Sequence, residues 1–86
     1  MPMDLGEHSR LVVGTKQILR AIEHGEVEYV YMAKDADTHI THKVLEMCQK
    51  KQIRMEWVDS MLELGKACRI DVGAAAAGIC RLQEDN

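Results

Sequence analysis

Runs rich in β-forming residues alternate along this chain with stretches of helical period, and nothing else in the sequence restricts the fold as sharply. LVV at 11–13 and VEYVYM at 27–32 are short strand-like runs, and between them Ile18, Leu19 and Ile22 recur at spacings of three and four. That spacing leaves Lys16, Gln17, Arg20 and Glu23 on the polar faces of a helix closed by His24 and Gly25. Lys16 and Arg20, one turn apart, share a face. A second helix is expected over about 38–51, with Ile40, Val44, Met47 and Cys48 as its apolar stripe and Asp37 or Thr38 as its cap. IRMEWV at 53–58 is the next strand. Ser60 and Glu63 then have the spacing of a capping box, and Met61, Leu64 and Cys68 form the stripe of a third helix ending near Ala67 or Cys68.

Alanine propensity alone would make AAAAGIC, at 74–80, a helix. It follows the loop RIDVG and completes the alternation, so it is expected to be a strand of small residues on which helices can pack closely. The order β-α-β-α-β-α-β predicts an α/β fold, a three-layer α/β/α sandwich around a four-stranded, mostly parallel or mixed sheet, because right-handed crossovers carry helices to both faces. No linker or repeat divides residues 1–86, which form one domain. A chain of this length buries roughly 60% of its unfolded surface and has no room for a cleft between lobes. Function therefore belongs on a surface or a loop edge. Apolar residues make up 47% of the chain with no Phe among them, so the core is aliphatic.

The net charge of -3 supplies no global basic field, and any nucleic-acid partner must be held by a local patch. Cys48, Cys68 and Cys80 form no CxxC pair and read as small buried residues of a reducing compartment, without a structural disulfide. The opening MPMDLGEHSR is polar, and no apolar stretch approaches the roughly 20 residues that span a bilayer. A cytoplasmic protein with neither a membrane nor a DNA partner is expected.

GTKQ, residues 14–17, crowds a glycine, a hydroxyl, a lysine and an amide onto one helix start. It contains neither phosphate-loop glycine pattern, although any helix N-terminus with free amides can attract an anion. Lys16 can donate to guanine O6 or N7, Gln17 can donate to and accept from a base edge, and Arg20 can hold phosphate or guanine. Short motifs of this kind more often mark only a solvated helix start. Lys34, Asp35 and Asp37 follow a strand end, where a carboxylate pair could serve an enzyme, but aspartates before a helix more often cap it. His39 and His42, at i and i+3, lack a third metal ligand, and the six methionines read as core filler. No catalytic group, metal site or cofactor is expected.

GTKQILRAIEHG, VYMAKDAD and LGKACRIDVGAAA occur in register with three blocks of the ribosomal L7Ae and L30e family, which nearly the whole chain resembles, and most of all with its small bacterial members of the YbxF and YlxQ type. The resemblance implies an α/β/α sandwich that binds kink-turn RNA, a duplex bent at a short bulge beside tandem sheared G·A pairs. It implies that Gly14, Thr15, Lys16 and Gln17 stand at the family's guanine-reading Gly-Ala-Asn-Glu block, with Arg20 where a lysine is usual, and an RNA binder should place Lys16, Arg20, Lys34 and Lys66 or Arg69 on one edge. Asp37 matches an acidic position near the extruded base, and Cys68 to Val72 match the loop that covers it, with Ile70 and Val72 as apolar contacts. Arg69 replaces the usual glycine at a helix C′ position. Lys16, Gln17 and Ile70 are expected to be exposed, and the protein to be a monomer. The partner so implied is ribosomal RNA or a structured mRNA element. The alternative is a protein-interaction or small-ligand domain that keeps the fold without the RNA site.

Overall fold

The computed structural model describes residues 10–81. The polar opening over 1–9 lies outside the described residues. Seven elements follow in the expected order: β1 (Leu11–Val13), α1 (Thr15–Glu23), β2 (Val27–Ala33), α2 (Thr38–Lys51), β3 (Arg54–Val58), α3 (Met61–Ala67) and β4 (Ala76–Cys80). The strands form one sheet in the order β1-β4-β2-β3. β2 and β3 are parallel, whereas β4 runs antiparallel to both its neighbours, β1 and β2, so the sheet is mixed.

Alternation along the strands separates two cores. Val30 and Met32 of β2 and Ala76 of β4 pack with Ile18, Ala21 and Ile22 of α1 and Val44 and Cys48 of α2. On the other face Ala33, Val58, Ala77 and Ile79 pack with Leu64 and Ala67 of α3 and with Cys68. Two helices therefore cover one face and one helix the other, giving the three layers. The small residues of β4 lie between the two helical layers. Ala76 and Ala77 are wholly buried, and a Cβ on Gly78 would meet Cγ1 of Val27 at 3.5 Å and Cγ1 of Ile18 at 3.8 Å, ordinary contact distances.

Packing alters one expected stripe. On α2 the buried positions are Thr41, Val44 and Cys48, while Ile40 is exposed and Met47 only partly covered. The Thr41 hydroxyl donates back to the carbonyls of Asp37 (3.4 Å) and Thr38 (3.3 Å), which satisfies its polar atom inside the helix and lets the rest of the side chain join the core.

All three helices end in the same hydrogen-bond pattern. The residue after the last turn donates to the carbonyl three back and its successor donates five back: Gly25 to Ile22 and Glu26 to Ala21, Gln52 to Gln49 and Ile53 to Cys48, Arg69 to Lys66 and Ile70 to Gly65. The first residue of each pair has positive φ, 73° at Gly25, 57° at Gln52 and 62° at Arg69. The expected C′ position of Arg69 is thus observed, at a cost of roughly 1 kcal/mol for a residue with a Cβ.

Candidate nucleic-acid interface

β1, β2 and β3 end on the same side of the sheet, and the starts of all three helices gather there with the entry to β4. Main-chain bonds join these pieces. Gly14 N–H donates to Ala76 O (3.3 Å), Ala33 N–H to Ala75 O (2.9 Å), Lys34 N–H to Val58 O (2.8 Å) and Ala74 N–H to Met61 O (3.0 Å).

The three helix starts differ in how their first amides are satisfied. Asp37 Oδ1 accepts from His39 N at 2.8 Å, and Ser60 Oγ accepts from Glu63 N at 3.1 Å, which bears out both expected caps. Asp35 Oδ1 adds a second acceptor for α3, from Met61 N at 2.7 Å. The cap position of α1 is Gly14, at φ 108°, which offers no side-chain oxygen, and no acidic residue lies in the first turn. Among the described residues α1 is therefore the one helix whose amides keep their positive end uncompensated by a side chain. Thr15 is half-buried there, while Lys16 and Gln17 are exposed as expected, with exposed Arg20 one turn further along. A Cβ on Gly14 would find open space, so the strain of a positive φ, rather than crowding, favours glycine at this start.

Lys34 and Asp37 sit in the turn from β2 to α2, on the same side of the sheet. The Lys34 ammonium lies 3.3 Å from Asp59 Oδ1. Both groups are largely in water, so the pair holds little energy and an incoming phosphate can compete for the lysine. The aspartates of this turn accept from main-chain amides, an arrangement of caps rather than of an acid and a base.

The loop from Arg69 to the entry of β4 runs back along α3, on the opposite layer from α1. It approaches closely: a Cβ on Gly65 would overlap the Val72 carbonyl, and one on Gly73 would stand 3.1 Å from Met61 Cβ. The pattern expected Ile70 to be exposed, and here the structure corrects it. Ile70 is partly buried against the α3-side core, because the two hydrogen bonds that close α3 turn the chain inward, while Val72 points its side chain to solvent at 68% exposure. Lys66 and Arg69 are exposed beside it. Gly65 and Asp35 help to set this geometry, and although both lie inside the blocks that resemble the family, neither was assigned a part in the site. A glycine inside an otherwise regular helix is the one sequence signal that could have marked the close approach.

Elsewhere, His42 Nε2 lies 3.2 Å from Glu46 Oε2 on the open surface of α2, and among the described residues no three His, Cys, Asp or Glu side chains converge as metal ligands would. The cysteines are free. Burial pushes the thiols of Cys48 and Cys68 up from their ordinary pKa, and burial together with Glu26 does the same for half-buried Cys80 against the opposing pull of Arg10. No described helix is long and apolar enough to cross a membrane.

A mixed four-stranded α/β/α sandwich with its helix starts on one side, one of them glycine-led and uncapped, defines a class of small single-sheet α/β proteins. The chain belongs to the ribosomal protein L7Ae/L30e/S12e/Gadd45 family, whose model matches residues 3–85. It is 54% identical over 69 residues to RNA-binding protein BH0128 of Halalkalibacterium halodurans, covering 80% of this chain and 84% of that one. RNA-binding protein YbxF of Geobacillus stearothermophilus is 47% identical over 72 residues, covering 84% and 88%. Among solved structures, the Giardia lamblia 15.5kD RNA binding protein is similar with a TM-score of 0.80 at 27% identity, covering 86% of this chain and 62% of that one.

Proposed function

We propose that this chain is a non-catalytic RNA-binding protein that takes kink-turn RNA, one copy to each bend, in ribosomal RNA or a structured mRNA. The observation that carries this reading is the uncapped α1 start with Lys16 and Gln17 exposed beside it. Family membership and relatives named as RNA-binding proteins support the RNA partner. Free amides and an ammonium suit the O6 and N7 acceptors of a guanine, and the Gln17 amide suits a sheared pair because it both donates and accepts. Arg20 and Lys34 serve the phosphates that converge at the bend, Lys34 by exchanging Asp59 for phosphate. On the other layer Val72 covers the extruded base, with Ile70 beneath it as a prop and Arg69 toward the backbone. Asp37 accepts from that base with the oxygen its helix leaves over.

The test is a titration of a kink-turn duplex against the same duplex with its G·A pairs replaced by G·C. The kink-turn should bind far more tightly, and equal affinity at near-physiological salt refutes the proposal. The salt dependence should be shallow, since few cations reach the backbone, and a slope near ten released ions would indicate a broad nonspecific surface instead.

A further inference from the structure

β3 is the terminal strand of the sheet, and among the described residues no strand lies beside its outer edge. Its main chain is divided between two sides. The Val58 carbonyl accepts from Lys34 N–H, so Val58, Glu56 and Arg54 direct their backbone groups at β2, whereas Met55 and Trp57 direct theirs outward. Such a row is a template for another strand.

The side chains alternate in the same way. Arg54 and Glu56 are exposed and stand level with Tyr29 and Tyr31 of β2, on the α3 side. Met55 and Trp57 stand level with Val30 and Met32, on the α2 side. Trp57 is 42% exposed, a large apolar surface left beside open main chain.

We propose that the outer edge of β3 pairs antiparallel with the same edge of a second copy, about a two-fold axis through Met55. In that register the two copies of Met55 exchange N–H and carbonyl bonds, and each Arg54 stands opposite the other copy's Glu56. On the α2 side each Trp57 stands opposite the other copy's Ile53. The Ile53 N–H is already bonded to Cys48 O at 2.8 Å, but its carbonyl remains for the indole-bearing residue's N–H. Moving the axis one residue, to Glu56, sets two carboxylates directly opposite each other, which is unfavourable. Charge thus favours the Met55 register over its neighbour at Glu56, and the contact closes on itself as a two-fold contact must. A five-residue strand pair is a small interface, below about 1,200 Å² in total, so the dimer is weak and forms at high concentration, in departure from the monomer expected from the sequence. The α1 start is reached from the other end of the sheet, over β1 and β4, and stays open in the pair.

Sedimentation equilibrium from micromolar to millimolar protein tests this together with tryptophan emission, because Trp57 is the one tryptophan of the chain. The mass should rise toward twice the monomer value, with emission shifting to the blue in step. Glu56→Arg or Arg54→Glu alone should hold the protein monomeric, and the two together should restore the dimer, with folding followed by circular dichroism. Arg54→Glu leaves the 3.4 Å bond from Tyr29 Oη to Glu56 in place and gives the same reading if Glu56→Arg folds poorly. A monomer at every concentration overturns the proposal, as does a dimer that survives the single reversals with unmoved emission.

Discussion

Gly65→Ala should loosen the loop over α3 while leaving the α1 start intact. The added Cβ would overlap the Val72 carbonyl and stand 3.1 Å from Gly73 Cα, so backbone rather than a flexible side-chain end must give way. Overpacking of this kind costs about 1–3 kcal/mol. Alanine inside a helix regains up to about 1 kcal/mol over glycine, so the net loss of stability should be about 1–2 kcal/mol, read as a lower urea midpoint at unchanged slope. The easiest relief is to lift the loop, stretching the bond from Ile70 N–H to Gly65 O and moving Val72 with it. Binding that needs Val72 in its parent position then carries the same strain, and about 1.4 kcal/mol corresponds to a tenfold weaker kink-turn complex. Guanine preference should be unchanged, because Lys16 and Gln17 lie on the opposite layer. A variant as stable as the parent, with parent affinity, would refute the reasoning outright.

Lys16→Ala and Gln17→Ala should each weaken kink-turn binding by about 1–3 kcal/mol and relax the guanine requirement, with little change in melting temperature since both are exposed; parent-like binding by folded variants would reduce GTKQ to a solvated helix start. Val72→Ala should lower affinity alone, whereas Ile70→Ala should also cost about 1 kcal/mol or more of stability because Ile70 packs on the core, and denaturant titrations of the two distinguish them. The raised thiol pKa values make the unfolded chain lose its thiol protons first. Stability from this source is therefore fully present below the ordinary thiol pKa and lost as pH rises through the folded values, and a flat pH profile of the urea midpoint in that alkaline range would count against it.

The elements that were legible are those whose signals are local. Asp37 and Ser60 mark the starts of α2 and α3 because caps act within four residues, and α2 runs over the expected span. AAAAGIC became legible as a strand only through the alternation around it, since its own propensity points to a helix. Pairing between distant segments left no such trace: nothing in 74–80 says that this strand runs antiparallel in the middle of the sheet. At the candidate site, the exposure of Lys16 and Gln17 followed from helical period. The inward turn of Ile70 did not, because it depends on how the end of α3 meets the core, and Thr41 could replace Ile40 in the stripe only because its hydroxyl bonds to its own helix.

The central position of β4 sets a timetable for the newborn chain. Among the described residues β1 pairs with β4 alone, and Gly14 is tied to Ala76, so Val12 must wait for Gly78 before it has a place in the sheet. During synthesis α1, β2, α2 and β3 can associate as each emerges, while LVV and the turn at Gly14 wait for β4. The turn at Gly14, which opens the surface proposed to read guanines, therefore leaves the ribosome well before β4 and is fixed only when β4 arrives, which withholds a finished binding face from a polypeptide that still lacks β4.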